Sequence, residues 1–264
     1  MRKKPLVSII TVCKNSAKTI EKTLKSVELQ KYSPIEYIVI DCVSHDETID
    51  IIRSSPAVSR WVSEPDNGVA DAFNKGLSLA SGDWVGILNA DDWYEIDTVA
   101  TMVQYIDHAD VIHGAVRYWR DDGTSQIFYP NQTVLRREMS INHPSVFVKR
   151  SVYEDVGGFD QSFRFAMDYE LLLRILKSNY RFYCVPDVVL ANMRCGGLSD
   201  IYWRKALDEV MRAKEKHFPA LMRHKCYYYF QIIRSYVQKM LTMFGLQCCV
   251  DYYRRFFSFM KKIS

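Results

Sequence analysis

The sequence predicts an α/β fold with a mainly parallel sheet and helices on both faces, and three observations carry that prediction. Short β-branched apolar runs alternate with polar segments of helical period through the first 108 residues. Turn residues punctuate the alternation at the pace of strand–helix units. Acids stand at the ends of three successive runs, where open α/β sheets gather their ligands.

The elements follow in order. "PLVSIITVC" reads as a buried first strand, and "KNSAKTIEKTLKSVELQ" as a helix with Ile20, Leu24 and Val27 at helical spacing. "IEYIVIDC" is a second strand, and "SHDETIDIIRSS" opens a helix with Ser44 or Asp46 as cap. "SRWVSEPD" is a short third strand. "VADAFNKGLSLASG" is a helix closed by Gly82, and "DWVGIL" a fourth strand running into Asn89, Asp91 and Asp92. Beyond residue 108 the pattern is mixed: a hairpin turning at Asp122-Gly123, then a strand, a short helix and a glycine turn in "HPSVFVKRSVYEDVGGFD". "FAMDYELLLRILKSNYRF" is an amphipathic helix with Leu171, Leu172, Ile175 and Leu176 inward, and "FYCVPDVVLANMRCGGLS" reads as two short strands.

At 264 residues the chain has material for one sizeable core and an appended segment. No apolar run reaches the length of a membrane span, and the basic start "MRKKPLVSIITVCKNSAK" reads as a strand rather than a signal peptide. Seven cysteines, with no CxxC and no zinc spacing, fit packed, reduced thiols of a cytosolic protein. The net charge of +4 is uneven. Residues 221–264 hold eight Lys or Arg and one acid, +7, which leaves −3 on the rest.

Adjacent carboxylates at a buried strand end repel one another unless something compensates them. Asp91 and Asp92, with Asn89 beside them, offer hard oxygens to Mn²⁺ or Mg²⁺. So few carboxylates cannot cage the ion, so a substrate diphosphate is expected to complete the shell. No GxxxxGK[ST] and no GxGxxG offers another phosphate site. Asp168, near the start of a helix with a leucine-rich far face and flanked by Arg164 and Glu170, reads either as a general base or as a first-turn acid favoured by the helix dipole.

The stretches "VSIITVCKN", "DCVSHDET", "SEPDNGVADAFNKGLSLASGDWVGILNADDWY", "HPSVFVKRSVYEDVGGFDQSFRFAMDYELLLR" and "GGLS" resemble, in order, the signatures of bacterial family 2 glycosyltransferases over roughly residues 5 to 200. The resemblance implies a GT-A fold, a nucleotide-diphospho-sugar transferase-like mixed sheet flanked by helices. It also implies inverting transfer of a hexose, glucose or galactose, from a UDP-sugar to a glycan hydroxyl in polysaccharide, O-antigen or lipopolysaccharide assembly. By the same resemblance Asp41 contacts the uracil or its surroundings, and Glu64 and Asp66 line the nucleoside pocket with Asn74 and Lys75 behind. Asp91 and Asp92, with Asn89, match the site for ribose and metal, and Asp168 matches the base. Trp93, His143, Arg164, Gly196 and Gly197 fall near acceptor or diphosphate. Three positions depart from the family pattern: Cys42 follows Asp41, Met167 precedes Asp168, and Asn89 opens the acid triplet.

The expected division is a catalytic domain over 1–200, its nucleotide half 1–108 and acceptor half 109–200, with a helical basic-aromatic segment over 201–264. That tail fits either an interfacial helix on anionic lipid or a helical pair packed on the domain. The first arrangement suits an acceptor on a lipid diphosphate and a cytoplasmic protein peripheral to the membrane. No nucleic-acid module is recognisable. A nucleotidyltransferase would need a Gly-rich basic loop where "VCKNSAKTIEK" has none, and a binding module without catalysis would tolerate loss of acids that are all present.

Overall fold

Val7–Cys13 (β1) is almost wholly apolar and buried, and parallel strands lie on both sides of it. The computed structural model describes residues 4–219 and 221–246, with short pieces at 248–249, 252 and 262–263. β1 is paired in parallel by Ile35–Asp41 (β2) on one side and by Trp84–Ile87 (β4) on the other, while Arg60–Ser63 (β3) pairs β2. Their carboxyl ends therefore share one edge. Asp41, Glu64, Asp66, Asp91 and Asp92 all leave from that edge.

Helices Ile20–Glu28 (α1), Thr48–Ser54 (α2) and Val69–Leu79 (α3) connect these strands. Beyond Trp93–Tyr94 (β5) and Thr98–Val103 (α4), the sheet turns antiparallel. Val111–Trp119 (β6) and Ser125–Phe128 (β7) form the hairpin, with Gly123 at φ 81 as the turn demands. Phe147–Lys149 (β8) is antiparallel to both β6 and β4, so the sheet is mixed, in the order β10-β7-β6-β8-β4-β1-β2-β3 with Lys262–Ile263 (β10) at the edge. Arg150–Val156 (α5), Met167–Lys177 (α6), Leu198–Ile201 (α7), Trp203–His217 (α8) and Leu221–Met243 (α9) complete it.

Several boundaries differ from the sequence reading. The first helix begins only at Ile20, and α3 ends at Leu79 with Ala80 as its cap, so Gly82 closes no helix. Gly82 is there because a Cβ would stand 2.6 Å from the backbone nitrogen of Ser8. Helix α2 starts at Thr48; Asp46 takes the Thr48 amide, while Ser44 turns back to Asp41. The two short strands expected after residue 181 are one, Phe182–Arg194 (β9), parallel to β6 with irregular register around His113 and Ala115.

Among the described residues no helix is long and apolar enough to cross a membrane. Helix α8 lies along α6, joined through Lys216 and His217 to the fully buried Glu170. Helix α9 presents an exposed stripe, Tyr229, Ile233, Tyr236, Met240 and Met243. Of the tail's charges, Asp251, Arg254, Arg255 and Lys261 lie outside the described residues.

Candidate active site

The turn after β4 builds the acid pair. The Asp92 amide donates to the Asn89 carbonyl (3.1 Å), and the Thr23 hydroxyl, from α1, donates to the Asp92 carbonyl (2.7 Å). Oδ1 of Asp92 accepts from the Arg194 backbone amide (3.2 Å); Oδ2 accepts from the Asn89 side-chain amide at 3.5 Å. Asp92 is 1% exposed, and burial, then Asp91 beside it, push its carboxyl well above the usual range. Burial also raises Asp91, against the pull of Arg194.

Two adjacent carboxylates, one buried and one partly so, with a single long side-chain amide contact on Asp92 Oδ2, fit a divalent cation, which relieves both the repulsion and the desolvation. Among the described residues no group of three or more His, Cys, Asp or Glu is placed to hold a metal, so the remaining oxygens have to come from outside the protein. Basic groups stand close by. Arg194 ends β9, and Lys22 places its ammonium 3.1 Å above the Trp93 ring, which lies 6.0 Å from Trp119. Burial, then Arg194, lower the Lys22 pKa.

Asp41 is fully buried, and its oxygens are engaged by its own loop and by the ends of β1 and β3. Oδ2 accepts from the Ser44 amide (2.9 Å) and the Ser63 hydroxyl (2.6 Å); Oδ1 accepts from the Ser44 hydroxyl and the Cys13 thiol. These bonds hold Val43 at φ 47, a left-handed conformation that a β-branched residue rarely adopts. Burial, then Asp41, push the Cys13 thiol far up, so it stays protonated. Downstream, Glu64 bonds Lys75 at 2.8 Å and raises its pKa, while Lys75 also donates to the Pro65 carbonyl (2.6 Å). Asp66 accepts from the Gly68 amide (2.9 Å), shaping the turn into α3.

Asn74 faces elsewhere. Its amide donates to the Phe159 carbonyl (2.8 Å) and accepts from the Phe159 amide (2.7 Å), fastening α3 to the glycine turn before α6. A Cβ at Gly158 would lie 2.3 Å from Asn74 Oδ1.

Asp168 stands in the first turn of α6, with Leu171, Leu172 and Ile175 buried behind it and Leu176 only partly so. Burial pushes its carboxyl up to about 6; the Tyr169 amide, donating at 2.7 Å, opposes that, and Glu209 adds to it. Asp92 and Asp168 both act on the buried Tyr118, whose hydroxyl donates to Asn142 (2.8 Å) and which burial, then Asp92, Asp200, Cys195 and Asp168, push up. The His143 ring sits 5.6 Å from Phe73, and burial lowers it to about 4, so it is neutral. Gly196, at φ 91, donates to Asp200 (3.0 Å) and turns the chain from β9 into α7 with Gly197. Arg164 contributes its amide to Glu209 and leaves its side chain exposed.

Sequence reasoning missed Arg194, Lys22, Tyr118 and Glu209. Arg194 carried a weak signal as the cation before "CGG"; Glu209 carried none, because what it holds is remote in sequence.

The chain matches the family model "Glycosyl transferase family 2" over residues 8–172. It is 32% identical over 183 residues to an uncharacterized glycosyltransferase of Mycobacterium tuberculosis, covering 66% of this chain and 70% of the relative. Solved structures share the fold with this chain. It spans 38% of a longer S. aureus TarS chain and 70% of a shorter one in complex with UDP-GlcNAc, where 84% of this chain aligns at TM-score 0.62 and 17% identity. A mannosyltransferase of Pyrobaculum calidifontis, in complex with GDP-Man and Mn²⁺, aligns over 86% of this chain and 70% of its own at TM-score 0.64 and 24% identity. The mixed sheet with its parallel acid-bearing edge is thus of the GT-A type, and the chain belongs to glycosyl transferase family 2.

Proposed function

We propose that the protein transfers a hexose, glucose or galactose, from a UDP-sugar to a glycan hydroxyl with inversion, using Mn²⁺ or Mg²⁺. The observation that carries this reading is the raised Asp91–Asp92 pair after β4, with Asp92 buried, together with an Asp168 whose carboxyl is raised to about 6, Asp92 and Asp168 both acting on Tyr118. In the transfer the acceptor oxygen bonds to the anomeric carbon as the bond from that carbon to the diphosphate oxygen breaks. The hydroxyl proton goes to Asp168, a stronger base than an ordinary aspartate yet ionised at neutral pH. A cation held by Asp91 and Asp92 would neutralise the departing diphosphate. Arg194 and Lys22 add positive charge there, and Glu64, Asp66 and Lys75 line the nucleoside side, over a floor that Asp41 keeps in shape.

The acceptor of this reading is a glycan on a lipid diphosphate, in surface polysaccharide or O-antigen assembly at the cytoplasmic face of the membrane. Its support is the exposed α9 stripe together with the charge of residues 221–264, whose eight basic residues complement anionic lipid.

Calorimetric titration with UDP, with Mn²⁺ and then with EDTA, tests the donor site. Micromolar binding lost on chelation supports it and selects UDP-sugars for assay. Binding of GDP in place of UDP would move the donor to a guanosine sugar. Binding of neither would overturn the reading.

A further inference from the structure

Helix α6 starts without a cap of its own: Ala166, at the N-cap, supplies no side-chain acceptor. Instead the three backbone amides that lead into it are taken by Glu209, from α8. Its Oε2 accepts from Arg164 (3.0 Å), Phe165 (2.7 Å) and Ala166 (3.0 Å), and its Oε1 from Arg164 (2.9 Å). A carboxylate at that end of a helix is favoured both by the dipole and by charge-assisted bonding. The same face of α8, at spacing i, i+3, i+7, adds two more ties. Arg212 donates to the Ser162 carbonyl (2.7 Å) and lies over the Phe163 ring (4.0 Å), and Lys216 reaches Asp160 (2.7 Å) and Glu170 (3.0 Å). Residues 160–166 are therefore strapped from another helix immediately before Asp168.

We infer that Glu209 is a positioning residue for transfer: by holding the three amides of residues 164–166 it fixes where α6 begins, and so where Asp168 presents its carboxylate. The inference rests on Asp168 being the base. Its physical ground is that each residue of an α-helix turns the next by about 100°. A first turn that frays or starts one residue late swings Asp168 off the acceptor, and small misplacements are expensive in rate. The groups acting on Asp168 are the Tyr169 and Asp168 amides of its own helix and Glu209 of α8.

The test compares Glu209→Ala and Glu209→Gln with the parent protein. It reads amide exchange at residues 164–166, the pH titration of the Asp168 carboxyl carbon (assigned with Asp168→Asn), and turnover of the nucleotide sugar that binds. The first two need no substrate. For Glu209→Ala we expect lost protection at the three amides and a kcat lower by about 10- to 100-fold, with UDP affinity within about twofold. Glu209→Gln keeps an acceptor oxygen and drops the charge, so it regains most of kcat while the Asp168 midpoint moves below about 6. A folded Glu209→Ala with kcat within about twofold of the parent overturns the inference. So does an Asp168 titration unmoved in Glu209→Gln, the measurement that decides if the alanine variant does not fold. Full activity in Asp168→Asn would overturn the base assignment and this inference with it, whereas an inactive Asp168→Asn beside a fully active Glu209→Ala overturns this inference alone.

Discussion

The backbone N–H of Arg194 donates to Oδ1 of Asp92 across 3.2 Å, joining the end of β9 to the turn after β4. The bond is made by the main chain, so the Arg194 guanidinium can act separately on the charge of the acid pair. Arg194→Ala should keep the fold and the Asp92 position. We expect UDP affinity to fall about tenfold, the worth of one charge-assisted contact, and uridine affinity to be unchanged. Titrating both ligands into the variant checks this.

Asp168 makes opposite demands on activity and stability. As the proposed base it must be ionised, so kcat/KM should rise through about pH 6 and level off above it. Stability runs the other way: the folded carboxyl holds its proton up to about 6 and the unfolded one releases it near 3.8, so this group's contribution is present below that lower value and is lost as pH rises through the upper one. Asp168→Asn should therefore cut transfer by about 10²–10⁴-fold. It should also stabilise the protein by about 1–3 kcal/mol at pH 7.5 and by nothing at pH 4. Denaturant unfolding at the two pH values, beside a pH–rate profile of the parent, measures both.

Asp41 has a structural task that can be measured without substrate. Asp41→Asn replaces an acceptor of several donors by a group that must itself donate, at a fully buried position. A loss of about 2–3 kcal/mol is expected. Thermal unfolding with and without UDP separates damage to the fold from damage to the nucleotide site.

Asn74 and Gly158 test the fastening between α3 and the glycine turn. Asn74→Ala leaves the Phe159 amide and carbonyl without partners, a cost of about 1–3 kcal/mol. Gly158→Ala pushes a methyl against the Asn74 oxygen and should cost a similar amount. In the double variant the methyl no longer meets that oxygen, so the two losses should not add. Chemical denaturation of the four proteins reads the coupling.

Flotation with vesicles tests the exposed face of α9. The protein should rise with phosphatidylglycerol vesicles at low salt and remain below with phosphatidylcholine alone. Ile233→Ser with Met240→Ser should abolish flotation and leave UDP binding intact. Flotation unaffected by these changes would remove α9 as the contact.

The strands β1 to β4 and the acids at their ends were legible because each is written locally, as a β-branched run followed by turn residues. Asp91, Asp92 and Asp168 stand where the motifs put them. Gly82 misled because a glycine after a helical run reads as a cap, whereas here it serves a close approach to Ser8. The single strand β9 was missed because Pro186 and Asp187 interrupt its pattern, and the chain continues through them with Asp187 at φ 52. Glu209 and the Asn74–Phe159 bonds were invisible for a different reason. They join residues dozens of positions apart, and no window of sequence contains both partners.

The three-residue strand β8 is where the parallel and antiparallel halves of the sheet adjoin, pairing β4 on one side and β6 on the other. A seam so short is a natural cut line for recombination. A relative's hairpin and following loop could be exchanged between residues 111 and 146 while the backbone ladder at Phe147–Lys149 is retained, leaving the acid-bearing edge undisturbed. Under the proposed function, a fold divided this way would let a lineage change what it glycosylates without relearning what it activates.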